Sequence, residues 1–334
     1  MSRLPAGHSA TVRVPATSAN LGPGFDSLGL ALGLVDEVTA TVVDEPGVRC
    51  EVVGEGAGEV PCGPDHLVAR VLMAGLSRAS CPPPPGLLLR CVNAVPHGRG
   101  LGSSAAAVIA GALLARALAA PAGDSAEGPD VEGLDDDAVL GLATEVEGHP
   151  DNAAAALLGG ATVAWRGADG PRAVRIEVHP DVVPLVLLPL GRLATHHARS
   201  VLPASVTHDD ATANVARAAL LVHALGREPG LLLEATHDRL HQRQRRRAMP
   251  STVDLVDRLR REGVAAVVSG AGPAVLVLST SLRRSTDLRI LQAQAAVGVQ
   301  RVTDSSDAWQ LLEPSVYRMG AMVRLAAVAN RAGG

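Results

Sequence analysis

Residues 87–120 hold the pattern that any fold of this chain has to accommodate. Residues 87–95 are a run of branched aliphatic side chains that predicts a buried strand, and residues 103–120 are almost wholly small or apolar with helical spacing. A glycine-rich loop, residues 96–102, joins the two. A helix that is apolar on every side has to be buried. The sequence therefore predicts a strand, a tight loop and a core helix in direct succession.

The loop between that strand and that helix suits a phosphate group. Gly98, Gly100 and Gly102 let backbone N–H groups approach an anion without Cβ atoms in the way, and the helix start adds unpaired N–H groups and a favourable dipole. The hydroxyls of Ser103 and Ser104 suit phosphate or Mg²⁺. The loop matches neither the Walker pattern nor GxGxxG. On the glycines alone, a flexible turn with a serine helix cap explains it equally well.

Composition narrows the class of partner. Apolar residues make up 47% of the 334 residues and charged residues 19%, which is typical of a globular chain with a substantial core. The aromatic side chains are Phe25, Trp165, Trp309 and Tyr317, so the chain lacks the stacking surfaces that single-stranded nucleic acids need. The formal net charge of −4 gives no support for a polyanionic partner. We therefore expect small-molecule substrates and no nucleic acid.

Cysteine spacing and hydropathy favour a cytoplasmic location. The cysteines at positions 50, 62, 81 and 91 show no CxxC spacing, as expected of scattered reduced thiols. The N-terminus lacks the apolar core of a secretion signal. The most apolar run, residues 105–114, is too short to span a bilayer. We therefore expect no membrane partner.

The order of predicted elements indicates an α+β fold with two lobes, residues 1–165 and 166–334. A loop at 121–133 is expected from its Gly, Pro and acidic residues. In the first lobe, strands are expected at 11–14, 37–43, 87–95 and 159–165, and helices at 65–80, 103–120 and 135–147. In the second lobe, strands are expected at 173–179, 183–188, 264–268, 274–278 and 321–328, and helices at 209–226, 228–244 and 251–262.

Three segments together resemble the motifs of the GHMP kinases, the galacto-, homoserine, mevalonate and phosphomevalonate kinases. The first is VPATSANLGPGFD at residues 14–26, the second is GLGSSAAA at 100–107, and the third is SGAGP at 269–273. Their order and spacing extend over most of the chain. The resemblance implies a ribosomal-S5-like N-terminal lobe, a ferredoxin-like C-terminal lobe and ATP bound between them.

Two segments resemble the homoserine kinases within that family: PATSANLGPGFDSLG at residues 15–29 and EGHPDN at 147–152. This resemblance implies transfer of phosphate from ATP to L-homoserine, which gives O-phospho-L-homoserine for threonine biosynthesis. It also implies Mg²⁺ as the metal and a homodimer as the assembly.

Homoserine is a zwitterion, so its site needs a cation for the carboxylate and an anion for the ammonium group. Arg forms paired hydrogen bonds with carboxylates, and the resemblance gives this role to Arg199 and Arg245. It gives Asp26 to the ammonium group. Asn20 and His149 match further substrate contacts of the family.

The residues alone leave other interpretations open at these positions. Asp26 is also a favoured helix cap. Residues 243–247 form a basic run that is typical of a solvated face, and Arg245 is chosen within it by its offset from Pro250.

For the transfer itself, the resemblance places Ser104 and Glu147 at the metal, with Glu145 as the second choice. The two glutamates cannot easily both point inward, because residues two apart on a helix face apart. Asp151 lies where some relatives in the wider family have a base, and Asn20 or Thr195 would orient the attacking hydroxyl. The predicted ATP contacts are Pro96, His97, Gly98, Arg99, Gly100, Leu101, Gly102, Ser103, Ser104, Ala105, His66, Gly270 and Gly272.

The sequence also departs from the family pattern. Ala271 and Ala274 stand where many relatives have hydroxyl residues, and His66 stands where an Asn often follows the Asp near the adenine pocket. These changes bear on nucleotide affinity more than on the reaction. Two alternatives stay open: a GHMP kinase for another small alcohol such as mevalonate, and a non-catalytic nucleotide-binding protein of the same fold.

Overall fold

Two β-sheets organise the chain. The computed structural model describes residues 4–120, 131–301 and 309–325. The first sheet contains β1 Ser9–Ala19, β2 Leu28–Val43, β3 Gly47–Gly54, β4 Gly86–Asn93, β5 Ala161–Gly167, β6 Gly170–Ile176 and β11 Met322–Leu325. The second sheet contains β7 Val182–Pro189, β8 Ala266–Val268, β9 Val275–Thr280 and β10 Trp309–Leu312.

The helices occur singly or in consecutive groups between these strands along the chain. They are α1 Leu67–Arg78, α2 Ser103–Ala119, α3 Asp136–Glu147, α4 Asp151–Leu158, α5 Thr195–Ser200, α6 His208–Gly226, α7 Leu232–Ala235, α8 Pro250–Arg261 and α9 Arg284–Arg301. Among the described residues, no helix is long and apolar enough to cross a membrane.

The first sheet has the strand order β11-β1-β2-β4-β3, and β5 pairs with one end of β2 and with β6. Strands β3 and β4 are parallel and are joined through α1, whereas the other pairs are antiparallel. The β1–β2 register shifts between Pro15 and Ala16, as expected of a proline inside a paired strand. Beyond this bulge β1 continues to Ala19, within the first motif, and the rest of that motif forms the turn that leads to β2.

Helix α2 is the centre of the first core, as its composition predicts. Its small and aliphatic residues are buried against β1, α1 and α3. Gly111 makes the close approach to α1 possible, since a Cβ there would lie 2.7 Å from the carbonyl oxygen of Val68. The buried helix fixes the position of its own N-terminus, where the glycine loop ends.

A second cluster of buried side chains joins the two lobes. Leu21 and Leu101, from the first and second motifs, pack in one cluster with Val186 and Leu276 of the second sheet. A third cluster lies between the second sheet and α8. The two sheets therefore share a core directly behind the motif loops.

The expected lobe boundary at 165/166 falls within β5, and β6 pairs along its whole length with β5. By strand pairing, residues 170–176 and 322–325 belong with the first sheet. The division into 1–165 and 166–334 stays a prediction, and the sheet pairing favours a boundary after Ile176.

The predicted helix at 228–244 is wrong. This segment consists of a 3-10 turn at Pro229–Leu231, the short helix α7, and a turn that leads to another 3-10 segment at Gln244–Arg247. The Asp238 carboxylate accepts hydrogen bonds from the backbone N–H groups of Leu240, His241 and Gln242. The backbone N–H groups that would donate to carbonyl oxygens in a helix thus donate to a side chain instead.

Several elements were not expected from the sequence: β3, α4, α5, α9 and β10. The predicted final strand at 321–328 is present from Met322 to Leu325, and the remainder lies outside the described residues. Most of the expected loop at 121–133, residues 121–130, also lies outside them. The four cysteines are free thiols.

Candidate active site

A cleft between the two sheets brings together segments from distant parts of the chain. It is bordered by the glycine loop and the start of α2, by residues 147–152 between α3 and α4, and by the loop that leads into α5. The lining residues are Asn20, Gly98, Gly100, Gly102, Ser103, Ser104, Glu147, His149, Asp151, Asn152, Leu193, Thr195, Arg199, Arg245, Gly270, Ala271 and Gly272.

The glycine loop has the backbone that an anion site requires. Gly98, Gly100 and Gly102 have φ values of 67°, 84° and 68°, in the left-handed region that glycine adopts without strain. Gly102 caps α2, so the first N–H groups of the helix, which have no partner within the helix, lie where Ser103 and Ser104 line the cleft. The loop and the helix start therefore offer a concentrated set of donors to a phosphate group.

The glycine loop is in direct contact with the third motif. A Cβ on Gly100 would lie 2.4 Å from the carbonyl oxygen of Ser269. The Ser269 hydroxyl donates to the carbonyl oxygen of Gly100 at 2.6 Å, and the N–H of Ala274 donates to the carbonyl oxygen of Arg99 at 3.1 Å. The second and third motifs thus hold each other's backbone in place.

The first motif is tied to both of the others. Asn20 donates from Nδ2 to the carbonyl oxygen of Gly270 at 2.8 Å, and its Oδ1 accepts from the N–H of Asp26 at 2.9 Å. The N–H of Thr17 donates to the carbonyl oxygen of Leu101 at 3.0 Å, and its hydroxyl donates to Oδ1 of Asn152 at 2.8 Å. Asn20 is thereby fixed at the junction of the motifs, within the cleft lining.

Glu147 lies beside the start of α2. The Ser104 hydroxyl donates to Oε1 of Glu147 at 2.5 Å. Glu145 points away from the cleft and forms an ion pair with Arg78 at 2.6 Å. Of the two glutamates, Glu147 is thus the one whose carboxylate lies next to the Ser104 hydroxyl. This oxygen pair suits a hard cation such as Mg²⁺.

His149 and Asp151 form a hydrogen-bonded pair at the start of α4. His149 Nδ1 lies 2.6 Å from Oδ1 of Asp151, which also accepts from the N–H of Asn152 at 2.8 Å. Burial lowers the pKa of His149, but the hydrogen bond and charge of Asp151 outweigh it, so the pKa is raised overall. Oδ2 of Asp151 accepts no hydrogen bond from the described residues.

Asp26 and Arg199 form a paired contact with each other. The two Arg199 amino groups donate to the two carboxylate oxygens of Asp26 at 2.5 and 3.1 Å. Both side chains are about one-third exposed. No helix follows Asp26, which has φ 54° in a turn before β2, so the interpretation as a helix cap is wrong. The two groups expected to bind opposite ends of a zwitterion are adjacent.

Arg245 is buried, with 1% of its surface exposed, although it lies in the basic run. Its Nε donates to the carbonyl oxygen of Ala198 at 3.2 Å, and its Nη1 donates to the carbonyl oxygen of Gly270 at 3.0 Å and to Nδ1 of His241 at 2.9 Å. Burial and the nearby Arg199 charge lower the pKa of Arg245 to about 10, so it stays cationic at neutral pH.

Phe25 lies beneath both arginines. The guanidinium carbons of Arg199 and Arg245 lie 5.6 and 5.7 Å from its ring centre, within the range of cation–π attraction. His241 stacks on the same ring, with ring centres 4.9 Å apart. One aromatic ring therefore supports the two cations that line the cleft.

A more apolar pocket adjoins the cleft at Ser103 and Ser104. Val38, Val68 and Ala106 contribute apolar surface to it. His66 also lines it; burial lowers the pKa of this histidine, and its buried Nδ1 has no hydrogen-bond partner among the described residues. The pocket therefore opens beside the predicted phosphate loop and contains a neutral polar group.

The structure brings most of the predicted site residues into one region. Asn20, Glu147, His149, Asp151, Thr195, Arg199 and Arg245 line the cleft, and His66 and His97 line the adjoining pocket. The side chains of Leu101, within the loop, and of Ala105, in the first turn of α2, are instead buried.

Phe25, His241, Thr17 and Asn152 also contact this site and were not among the predicted residues. Phe25 carried one usable signal, since it is the single phenylalanine of the chain and lies inside the first motif.

Fold and cleft together define a class: a two-lobed α+β protein with a glycine-rich loop at a helix start beside a set of paired charges. Residues 66–160 match the model of the GHMP kinases N terminal domain, and residues 219–296 match that of the GHMP kinases C terminal. The homoserine kinase of Clavibacter michiganensis subsp. michiganensis is 53% identical over 84% of this chain and 85% of that protein. That of Mycobacterium tuberculosis is 47% identical over 90% and 93%. The chain belongs to the GHMP kinase family, which confirms the family predicted from its motifs.

Solved structures agree with this assignment. The homoserine kinase from Cytophaga hutchinsonii has a TM-score of 0.78 and 25% identity, with coverage of 97% of this chain and 99% of that chain. The mevalonate diphosphate decarboxylase from Staphylococcus aureus has a TM-score of 0.63 and 15% identity, with coverage of 95% and 98%. The second similarity is one of fold alone. The predicted α+β fold of the GHMP kinases is thereby confirmed.

Proposed function

We propose that this protein transfers the terminal phosphate of ATP to L-homoserine and releases O-phospho-L-homoserine and ADP. The observation that carries the proposal is the charge set beside the phosphate loop, in which Asp26 pairs with Arg199 and Arg245 lies in the same cleft. The relatives named homoserine kinase support the same substrate.

The charge set suits a zwitterion. When a ligand with both an ammonium group and a carboxylate enters, its ammonium group can replace Arg199 at Asp26, and its carboxylate can replace Asp26 at Arg199. Each protein charge then keeps an opposite partner, which avoids the large penalty of leaving a partly buried charge unpaired. Mevalonate has only a carboxylate and would leave Asp26 without a cationic partner, so it is the weaker candidate.

The glycine loop and the start of α2 would form the phosphate-binding end of the site. The N–H groups at Gly100–Ser104 and the positive end of α2 would bind the phosphates of ATP. Ser104 and Glu147 would hold Mg²⁺, whose remaining oxygen ligands would come from phosphate and water. Bound there, the ion would neutralise charge on the phosphates. The adjoining pocket with His66 would take the adenine ring.

The transfer depends mainly on position and charge. The substrate hydroxyl oxygen forms a bond to the terminal phosphorus while the bond from that phosphorus to the bridging oxygen of ADP breaks. Asn20 and Thr195 border the cleft where they can orient the hydroxyl. The proton can pass to Oδ2 of Asp151, because Oδ1 is already occupied by His149 and Asn152. The homodimer implied by the family stays a prediction.

Steady-state ADP release by the full chain with Mg²⁺ and ATP tests the proposal. The acceptors are L-homoserine, mevalonate and 4-hydroxybutyrate, which is homoserine without its amino group. We expect turnover with L-homoserine and a kcat/KM for 4-hydroxybutyrate that is lower by roughly 10- to 100-fold, as expected for the loss of one charged hydrogen bond.

Other outcomes would point elsewhere. Turnover with mevalonate but not with L-homoserine would identify a kinase for another alcohol. ATP binding without turnover on any of the acceptors would instead identify a non-catalytic nucleotide-binding protein.

A further inference from the structure

His241 is fully buried behind the cleft, in the turn that follows α7, and has no role in the proposed transfer. Its two ring nitrogens have different partners. Nε2 lies 2.8 Å from the carbonyl oxygen of Gly22 in the first motif, and Nδ1 lies 2.9 Å from Nη1 of Arg245. The imidazole thus connects the first motif with a cation of the cleft.

These two contacts determine the tautomer of His241. A carbonyl oxygen only accepts, so Nε2 must carry the proton and donate to Gly22. An arginine only donates, so Nδ1 must be unprotonated and accept from Arg245. The neutral imidazole with its proton on Nε2 satisfies both contacts, and neither the other tautomer nor the cation does.

The backbone around His241 is held independently of the ring. The Asp238 carboxylate accepts from the N–H groups of Leu240, His241 and Gln242. Phe25 covers one face of the imidazole. These contacts hold the ring in place without any contribution from Arg245. His241 can therefore serve as a rigid hydrogen-bond acceptor for Arg245.

Arg245 uses one edge of its guanidinium group for these anchors. Its Nε–H and both Nη1–H groups donate to Ala198, Gly270 and His241. Its Nη2 donates to no group among the residues that the structure describes, and the side chain lines the cleft. Two N–H groups of a buried cation are therefore left for a ligand.

We propose that His241 is a positioning residue that fixes the guanidinium plane of Arg245, so that Nη2 presents its two N–H groups to the carboxylate of the acceptor substrate. The inference rests on the proposed function, since it takes the acceptor to be an amino acid bound through its carboxylate. It assigns to His241 a contribution to acceptor KM. The contribution to kcat is small, because the carboxylate is bound equally in the ground state and in the transition state.

Two isosteric replacements separate the roles of the ring nitrogens. The Oδ1 of an asparagine can take the position of Nδ1, so His241→Asn keeps the acceptor for Arg245 and loses the donor to Gly22. The Nε2 of a glutamine can take the position of the ring Nε2, so His241→Gln keeps the donor to Gly22 and loses the acceptor for Arg245. Ser279→Ala is the control for stability, since it removes a buried hydrogen bond from β9 of the second sheet to Asp287 of α9, away from the cleft.

Acceptor KM, ATP KM, kcat and Tm are measured for the wild type, for these three variants and for Arg245→Ala. We expect His241→Gln to raise the homoserine KM by roughly tenfold, the size expected for a lost hydrogen bond to a charged group, with kcat changed less than about threefold. His241→Asn is expected to stay within about threefold of wild type in homoserine KM. Arg245→Ala sets the upper limit for the rise in homoserine KM. Ser279→Ala is expected to lower Tm without changing either KM or kcat.

Equal homoserine KM values for the asparagine and glutamine variants would overturn the inference, as would a glutamine variant that changes only kcat. A wild type that does not phosphorylate homoserine would instead overturn the proposed function. If neither His241 variant folds, the imidazole nitrogen shifts of the wild type decide the question. The His241 signal can be assigned through its contact with the single phenylalanine of the chain. A proton on Nδ1 would refute the inference, and a proton on Nε2 would support it.

Discussion

Gly100→Ala tests whether the glycine loop works through its contact with the third motif. Gly100 has φ 84°, and a Cβ there would lie 2.4 Å from the backbone oxygen of Ser269. Gly98, two residues earlier, has φ 67°, and a Cβ there would lie 3.5 Å from Arg192, an ordinary contact. Gly98→Ala is therefore a matched control that has the same backbone strain and no collision with backbone.

The expected magnitudes follow from these distances. An alanine in the left-handed region costs about 1–2 kcal/mol, which bounds the effect of Gly98→Ala on kcat/KM for ATP at about 5- to 30-fold. At Gly100 the carbonyl oxygen must also retreat by about 1 Å to reach the distance of an ordinary C–H···O contact. A displacement of that size at a substrate-positioning group costs about 100-fold. We expect kcat/KM for ATP to fall in Gly100→Ala by about 100-fold more than the backbone strain of the alanine alone would cause.

Both variants are assayed for ADP release with saturating L-homoserine and varied ATP, and their Tm values are compared with that of the wild type. Gly100→Ala should be the weaker enzyme by far, with the larger rise in ATP KM. If Gly98→Ala and Gly100→Ala lose activity equally, the contact between the two motifs does not position the loop, and the reasoning fails.

Two further predictions concern single side chains. Glu147→Gln should raise the Mg²⁺ concentration needed for half-maximal activity by roughly tenfold, because a charged oxygen ligand is lost; Glu145→Gln, whose partner is Arg78, should leave it unchanged in the same titration. Asp151 holds the pKa of His149 above its ordinary 6.5, although burial opposes this. The stability that the His149 pair adds is therefore fully present below pH 6.5 and lost as the pH rises through the raised value. The Tm difference between wild type and His149→Gln should be larger at pH 6 than at pH 9, and a difference that grows with pH would contradict this assignment.

The elements around the phosphate loop were predictable because their signals are local. The run at 87–95, the glycines that follow it and the apolar stretch after Ser103 each follow from nearby residues, and the structure places β4, the loop and α2 there. Helix α3 was predictable for the same reason, since Asp135 and Gly148 are its caps.

The contacts between distant residues could not be predicted. Asp26 and Arg199 are 173 positions apart, and each was expected to bind a ligand, so their mutual pairing had no signal in the sequence. A local contact was also missed: the segment at 228–244 was expected to form one helix, but the Asp238 carboxylate accepts hydrogen bonds from the backbone N–H groups of a turn there, a competition that helical spacing does not reveal. The choice of Arg245 within a run of arginines depended on resemblance. Its neighbour Arg246 instead forms ion pairs with Asp254 and Asp257 at the surface.

The departures in the third motif have a physical explanation in the way the motifs interlock. Ala274 takes part through its N–H, which donates to Arg99, and this contact does not depend on the side chain. The hydroxyl that supports the glycine loop comes from Ser269, which donates to Gly100 and lies 2.8 Å from the Ser18 hydroxyl. Alanine at 271 and 274 therefore leaves the loop backbone intact. Any loss of nucleotide affinity from these two alanines has to come from a missing side-chain contact with the nucleotide itself, because the shape of the loop is set by groups that this chain retains.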